Sequence, residues 1–299
     1  MTSQSDIAAE TRTETVEIAA PGATLVATLH VPPVPVAACV VNGATGVPAR
    51  FYDAFATWLA SAHGVMTLTW DYRDFGRSAS GPVRRSRATM TDWGVRDQQA
   101  ARDWLTGRCG ALPLWVVGHS LGGMMLPFQT GLARIDRVVN VAVGAVHLTD
   151  HPWPYRALAT SFWWGHGAAL HLLTGHLPGR LSGMPEDIPG GVFRQWRRWC
   201  NRRGFHAADP DLPVADAAAL TADMRVVAIA DDALAPPAAV WRLMRAYPQA
   251  AKRQHLLRPG VSGPIGHVAV FRRRHAAHWP ALIGVAAPSG TLPGTPRPA

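Results

Sequence analysis

Leu114-Trp115-Val116-Val117-Gly118-His119-Ser120-Leu121-Gly122-Gly123-Met124-Met125-Leu126 is the stretch around which the chain is organised. Leu114 to Val117 is a short apolar run with two β-branched residues, the pattern of a buried strand. Met124 to Leu132 reads as a helix that packs back on that strand. Between them lies Gly118-His119-Ser120-Leu121-Gly122, a G-x-S-x-G turn. The turn is so tight that a side chain at Gly118 or Gly122 would collide with neighbouring backbone. It holds Ser120 at the tip with its Oγ exposed. The helix N-terminus behind it offers backbone N–H groups to a developing negative charge. A hydroxyl is a weak nucleophile, so this reading requires a base, and the base requires an orienting carboxylate.

Outward from this turn the chain alternates strand and helix. Ala38-Cys39-Val40-Val41 reads as an interior strand, with Cys39 in the core rather than acting as a nucleophile. It stops in Asn42-Gly43-Ala44-Thr45-Gly46-Val47-Pro48, whose two glycines leave backbone amides uncovered. Phe51, Phe55, Trp58, Leu59 and Ala62 have helical spacing and end before Gly64. Val65 to Tyr72 is the next strand and runs into the polar turn Asp71 to Ser78. Thr89-Met90-Thr91-Asp92 predicts a capping box. The helix after it carries Trp93, Ala100, Ala101, Trp104 and Leu105 on one face. Arg137 to Gly144 is a further strand. Such alternation implies βαβ units in a parallel sheet, with ligands beyond the carboxyl ends of the strands. Asn42-Gly43, Asp71, Ser120 and Gly144 all fall on that rim. Upstream, Thr13 to Ile18 and Thr24 to Val31 predict an antiparallel hairpin about Pro21-Gly22.

The rhythm breaks at 147–220. This stretch holds Trp153, Trp163, Trp164, Trp196 and Trp199, with many Pro and Gly. Two helical pieces are expected, about 155–176 and 190–203. The stretch reads as an insertion over the rim, a cap whose aromatic surface lines a pocket or packs internally. His147, His151, His166, His171 and His176 invite a metal reading. Pro152 disfavours a helix joining the first two, the later pairs are five apart, and no carboxylate completes a set, so no metal is expected. The sheet resumes at Met224 to Ala230 and ends in Asp231-Asp232-Ala233-Leu234-Ala235-Pro236. A helix to about Tyr247 and a last strand, His255 to Leu257, follow. Gly260, Gly263 and Gly266 lead to His267 and to a helix carrying Val268, Phe271, His275 and Trp279. Residues 1–12 and 284–299 read as loose tails.

The 299 residues suffice for one large α/β domain with an insertion. The net charge is +9, and Lys252 is the sole lysine. Scattered arginines without a nucleic-acid motif point to a basic surface rather than a nucleic-acid partner. Cys39, Cys109 and Cys200 suit neither a disulfide framework nor a metal site, which favours a reducing, cytoplasmic setting. Met1 to Thr15 has no apolar core of a secretory signal. The most apolar stretch, Ala157 to Leu177, is interrupted by histidines and glycines, so no stable membrane insertion is expected and only peripheral contact through the cap is open.

Ser120, then Asp231 or Asp232, then His267 is a serine–acid–histidine order with each partner following a strand. His275 and His278 are weaker rivals inside a predicted helix. On these residues, with Ala44-Thr45-Gly46-Val47-Pro48, Asp71-Tyr72-Arg73, Gly118 to Gly123, Pro236 and Gly266-His267, the chain resembles the α/β-hydrolase superfamily over about 24–283. Within it, it is similar to bacterial hydrolases related to monoglyceride-lipase-like and serine-aminopeptidase-like enzymes. The resemblance implies a mostly parallel sheet with helices on both faces. A helical cap would be inserted after the strand that follows the nucleophile helix. The core would be 13–146 and 221–283, and the cap 147–220. It implies Ser120 as nucleophile, His267 as base and then acid, and Asp232, four residues before Pro236, as the orienting carboxylate. The oxyanion donors would be the N–H groups of Leu121 and Ala44. The chain departs from the pattern at Asn42, where many relatives have His, which leaves Thr45 as the alternative second donor. Asp74 stands where Gly is usual.

The expected activity is a serine hydrolase cleaving an ester, or a thioester or amide, through an acyl-enzyme without cofactor. The aromatic cap and the lack of a charged specificity residue favour a small apolar or acyl substrate. An acyltransferase with the same triad and a non-catalytic binding protein of the same fold are the alternatives. A serine at the elbow excludes dehalogenase and epoxide-hydrolase chemistry, which needs a carboxylate there.

Overall fold

The computed structural model describes residues 11–285. The loose tails expected at the two ends lie largely outside them, although β1 already begins at Arg12. Eight strands form one sheet: β1 (Arg12–Ala20), β2 (Ala23–Val31), β3 (Ala37–Asn42), β4 (Val65–Trp70), β5 (Leu114–His119), β6 (Arg137–Val141), β7 (Asp223–Ile229) and β8 (Ala251–Leu257). Their order is β1-β2-β4-β3-β5-β6-β7-β8. The β1–β2 and β2–β4 pairs are antiparallel, and the others are parallel.

Side-chain alternation along these strands builds two cores, one on each face. Cys39, Val41, Val117, Val139 and Val227 point to one face. There α1 (Asp53–His63) packs with Phe55 and Leu59, and α9 (Trp279–Ile283) with Trp279 and Leu282. Val40, Val116, Val138 and Val226 point to the other, under α2 (Gln98–Cys109) and α8 (Pro237–Leu243). The helices on both faces and the parallel centre of the sheet agree with the sequence reading. Cys39 is fully buried in the first core, and burial pushes its thiol up to about 12. The capping box forms: Thr89 N–H donates to Asp92 Oδ2 at 2.9 Å and Asp92 N–H to Thr89 Oγ1 at 3.1 Å. A π-helical turn, Asp92–Asp97, then leads into α2.

Three helices differ from expectation. The helix behind the elbow, α3, spans only Leu121–Met124 rather than reaching Leu132. Pro127 has no N–H to give the Gly123 carbonyl and its ring crowds that carbonyl. The Tyr247 hydroxyl donates to the freed oxygen at 3.0 Å instead. The expected 155–176 helix is two, α4 (Tyr155–Trp164) and α5 (His166–Thr174), broken at Gly165. The C-terminal helix begins only at Trp279, because extended Arg272 interrupts it into short 3-10 turns. Two more helices complete the 147–220 stretch, α6 (Gly179–Ser182) and α7 (Gly190–Cys200). Among the described residues no helix is long and apolar enough to cross a membrane.

Asp209 braces α7, and Gln195 of that helix reaches Thr91. Asp209 accepts from Arg198, Gln195 and the Trp199 indole, and Gln195 in turn bonds the Thr91 backbone N–H at 3.0 Å. Burial would raise the Asp209 carboxyl. The hydrogen bonds from Arg198, Trp199, the Asp211 N–H and Gln195 outweigh it and hold it at about 2. The folded value lies below the unfolded one of about 3.9. Its stabilisation is therefore complete above about pH 4 and is lost as pH falls through about 2. Since Arg198 is one-third exposed, the contribution should be only about 1–2 kcal/mol. The urea stability gap between the parent and Asp209→Asn should accordingly shrink from pH 5 to pH 2.5. A gap independent of pH would contradict this.

Candidate active site

β3 and β5 are neighbours, but their following helices go to opposite faces, so the loops after them part at this switch point. Asn42 pairs with Gly118 across the two strands, which sets the 43–47 loop beside the elbow. The elbow glycines have the steric role expected of them. A Cβ on Gly118 would sit 2.3 Å from Gly123 Cα, and one on Gly122 would sit 1.9 Å from the Asn42 carbonyl oxygen. Ser120 is forced to φ 53, ψ −117. A non-glycine residue there is strained by about 1–3 kcal/mol, held because the surrounding contacts leave no alternative. Asn42 and Asp74, the two departures, both have local partners. Asn42 donates to the Gly122 carbonyl at 3.2 Å and accepts from the Trp70 indole at 3.1 Å. Asp74 adopts φ 54, which Asp tolerates, and receives Ser80 and Ser86 hydroxyls at 2.7 and 2.6 Å.

The carboxylate and the imidazole meet as the sequence order suggests. His267 Nδ1 lies 2.7 Å from Asp232 Oδ2. The other oxygen, Oδ1, accepts the Leu234 and Ala235 N–H groups, both at 2.8 Å. Burial pushes the Asp232 carboxyl up. The charge and hydrogen bond of His267, with those two N–H groups, outweigh it and hold it below the usual carboxylate value. An acceptor at Nδ1 fixes the proton there and leaves Nε2 with a free lone pair. Asp231 turns elsewhere and accepts the Ile265 and Gly266 N–H groups at 2.9 and 3.1 Å. It shapes the turn that carries His267. His275 is buried against Ser262, 2.9 Å from its hydroxyl.

Ser120 and His267 line one cavity of about 600 Å³. Among the described residues no hydrogen bond joins the Ser120 hydroxyl to the His267 imidazole; catalytic bonds of this kind commonly tighten only when substrate binds. Met124, Val146, Phe162, Trp163, Met184 and Trp196 supply much of the apolar wall. Of the expected aromatic surface, Trp163 and Trp196 face the cavity. Trp199 is wholly buried, whereas Trp153 and Trp164 are exposed. Arg272 also lines the cavity, so the expectation of no charged residue there is corrected. It is exposed, 5.6 Å over the Phe51 ring, reached by the same extended kink that ends the predicted helix.

Ala44 and Thr45, the two amides expected as candidates for the second oxyanion donor, differ in their bonding. The Ala44 N–H is committed to the Tyr52 hydroxyl at 2.9 Å. Among the described residues, the N–H groups of Leu121 and Thr45 have no protein acceptor, and Thr45 lines the cavity. Three of the five histidines that invited a metal reading find separate partners: His147 caps a turn, His151 bonds the Ala233 carbonyl, and His166 meets Ser161.

No family model matches this sequence and no curated protein matches it. Solved structures do. A soluble variant of monoglyceride lipase from Saccharomyces cerevisiae is 15% identical, at TM-score 0.62, covering 95% of this chain and 98% of that one. An esterase from Pyrococcus furiosus is 13% identical, at TM-score 0.58, covering 92% and 89%. A lidless α/β serine hydrolase from Xanthomonas campestris is 14% identical, at TM-score 0.54, covering 96% and 99%. With that likeness over nearly its whole length, and with its strand order, the chain has the α/β-hydrolase fold.

Proposed function

We propose that the chain is a serine hydrolase acting on an ester of a small apolar or acyl substrate. The observation that carries this is His267, bonded to Asp232, sharing one largely apolar cavity with strained Ser120. On this reading Ser120 Oγ attacks the carbonyl carbon as its proton passes to His267 Nε2. The oxyanion is held by the Leu121 and Thr45 N–H groups. His267 then gives its proton to the leaving alkoxide, which departs and leaves the acyl-enzyme. Water, deprotonated by His267, attacks that acyl group and releases the acid and Ser120. The small-molecule ester is the only partner this chemistry needs, with no nucleic acid and no cofactor. A panel of p-nitrophenyl esters of graded acyl length, with fluorophosphonate labelling, tests it. A protein that neither hydrolyses any of them nor takes the label is a binding protein instead.

We assign 147–220 as a cap on a core of 13–146 and 221–283. Its outward Leu172, Leu173 and Leu181 are exposed and offer a peripheral contact to a lipid aggregate, with the body remaining in a cytoplasmic setting. Trp163 lines the cavity beside Phe162 and Trp196, whereas Trp164 is exposed and bonds Asn201 at 2.8 Å. Trp163→Ala should therefore shift the preferred acyl length upward. The discrimination between neighbouring lengths should change by about 1–3 kcal/mol, tens of fold. Trp164→Ala should leave the length profile alone. If both variants keep the parent profile, the cap tryptophans pack the core and do not select substrate.

A further inference from the structure

One peptide unit beside Ser120 is gripped from both ends by buried tyrosines. The Gly43 carbonyl accepts the Tyr72 hydroxyl at 2.7 Å, and the Ala44 N–H donates to the Tyr52 hydroxyl at 2.9 Å. Both tyrosines are about 1% exposed. The next N–H along the chain is that of Thr45. That N–H shares a plane with the Ala44 carbonyl, which accepts the Val47 N–H at 3.1 Å, so both peptide planes flanking Ala44 are held and the direction of the Thr45 N–H is set.

Beyond Tyr52 the bonding continues. Its oxygen lies 2.7 Å from His119 Nδ1, and His119 Nε2 lies 2.8 Å from the His267 carbonyl oxygen. The donors can be assigned without seeing a hydrogen. The Ala44 N–H can only donate and the His267 carbonyl can only accept. If His119 carried its proton on Nδ1, Nε2 would set a lone pair against a carbonyl lone pair. The proton is therefore on Nε2, and the Tyr52 O–H donates to Nδ1. Every donor in this series then meets an acceptor, the Tyr52 hydroxyl accepting one bond and donating another. His119 is fully buried, and burial, then the neighbouring His267 charge, push it down to about 3, so it stays neutral. Phe271 packs 5.1 Å from both rings, which holds them in place.

We propose that Tyr52 is a positioning residue which, through His119, ties the peptide that aims the Thr45 N–H to the backbone of His267. The inference deepens the hydrolase reading and rests on it: the oxyanion donor and the base come from loops 220 or so residues apart in sequence, and this chain of bonds behind Ser120 sets their spacing. Neither residue touches substrate. Tyr52→Phe deletes one oxygen, unpairs the Ala44 N–H and leaves His119 Nδ1 without its donor. His119→Gln breaks the same link from the other side, since a glutamine amide can reach the His267 carbonyl but offers no acceptor at the Nδ1 position.

The test measures kcat and KM on p-nitrophenyl butyrate for the parent, Tyr52→Phe, His119→Gln and the double variant. Each single change should lower kcat by about 10–100-fold with KM held within about twofold. The double variant should be no worse than the weaker single, because one broken link is enough. Parent kcat in Tyr52→Phe, whatever its melting temperature, would overturn the proposal, as would fully multiplicative losses in the double variant. Should Tyr52→Phe fail to fold, parent kcat in His119→Gln overturns it alone. A second arm needs no turnover. Amide exchange of residues 43–47 and 266–268 should speed up together in either variant, by about tenfold. Acceleration confined to the segment next to the substitution overturns the tie. An inert, unlabelled parent would remove the hydrolase reading, and the exchange arm would still decide the tie.

Discussion

Ser120→Ala should abolish turnover of every p-nitrophenyl ester that the parent hydrolyses, and fluorophosphonate labelling with it. The loss in kcat should be on the order of 10⁶: of the other hydroxyls and thiols on the cavity wall, Ser182 bonds the Gly179 carbonyl and Cys200 is held as a thiol by burial. The fold should hold. Alanine at φ 53 is strained much as serine is, and the collisions that shape the turn belong to Gly118 and Gly122, which are untouched. The change thus separates chemistry from folding. The three cysteines give no rival nucleophile, being buried and, for Cys39 and Cys200, held as thiols by burial. Stoichiometric labelling that survives Ser120→Ala would sink the assignment.

Asp232→Asn should lower kcat by about 10⁴, the loss expected when the orienting carboxylate becomes an amide and the imidazole is turned to the wrong tautomer. Asp232 Oδ2 receives His267 Nδ1, while Oδ1 receives two backbone N–H groups. An asparagine can keep the backbone bonds through its oxygen, but then presents NH₂ to Nδ1. Asp231→Asn should cost far less, about tenfold. Its carboxylate receives only the Ile265 and Gly266 N–H groups, so an amide oxygen preserves half of that grip on the turn. Parallel kcat measurements on the two variants decide the matter. Equal losses, or the reverse order, would make Asp231 the acid.

The elbow, the parallel sheet and the serine–acid–histidine order are legible in the chain because each depends on short-range rules. The Gly118 and Gly122 contacts arise within a few residues of the turn or across one strand pair. Strand and helix periods report which faces are buried. Even the early end of α3 has a local cause, Pro127, although the helical pattern runs past it. Exposed β8 is less legible: its Lys252 to His255 are polar, so only its last residues read as strand, while the pairing with β7 extends it to Ala251. The choice between Asp231 and Asp232 needed the resemblance as well as the spacing.

What the tertiary structure alone decides is the direction of groups that distant residues hold. Ala44 and Thr45 are adjacent amides in a glycine-flanked loop, and nothing in their own sequence distinguishes them. Tyr52 and Tyr72 rotate the peptide between Gly43 and Ala44, and in doing so spend one N–H and leave the next. Trp163 and Trp164 are likewise neighbours, and the break of the helix at Gly165 with the packing of Phe193 and Trp196 sends one inward and leaves the other in solvent. His119 carries no signal beyond filling the variable place of the motif, and its role exists only because the strand, the 43–47 loop and the His267 turn converge on it. A sequence states which backbone shapes are sterically allowed nearby; hydrogen bonds between segments 8, 67 and 148 residues apart choose among them only once the chain is folded.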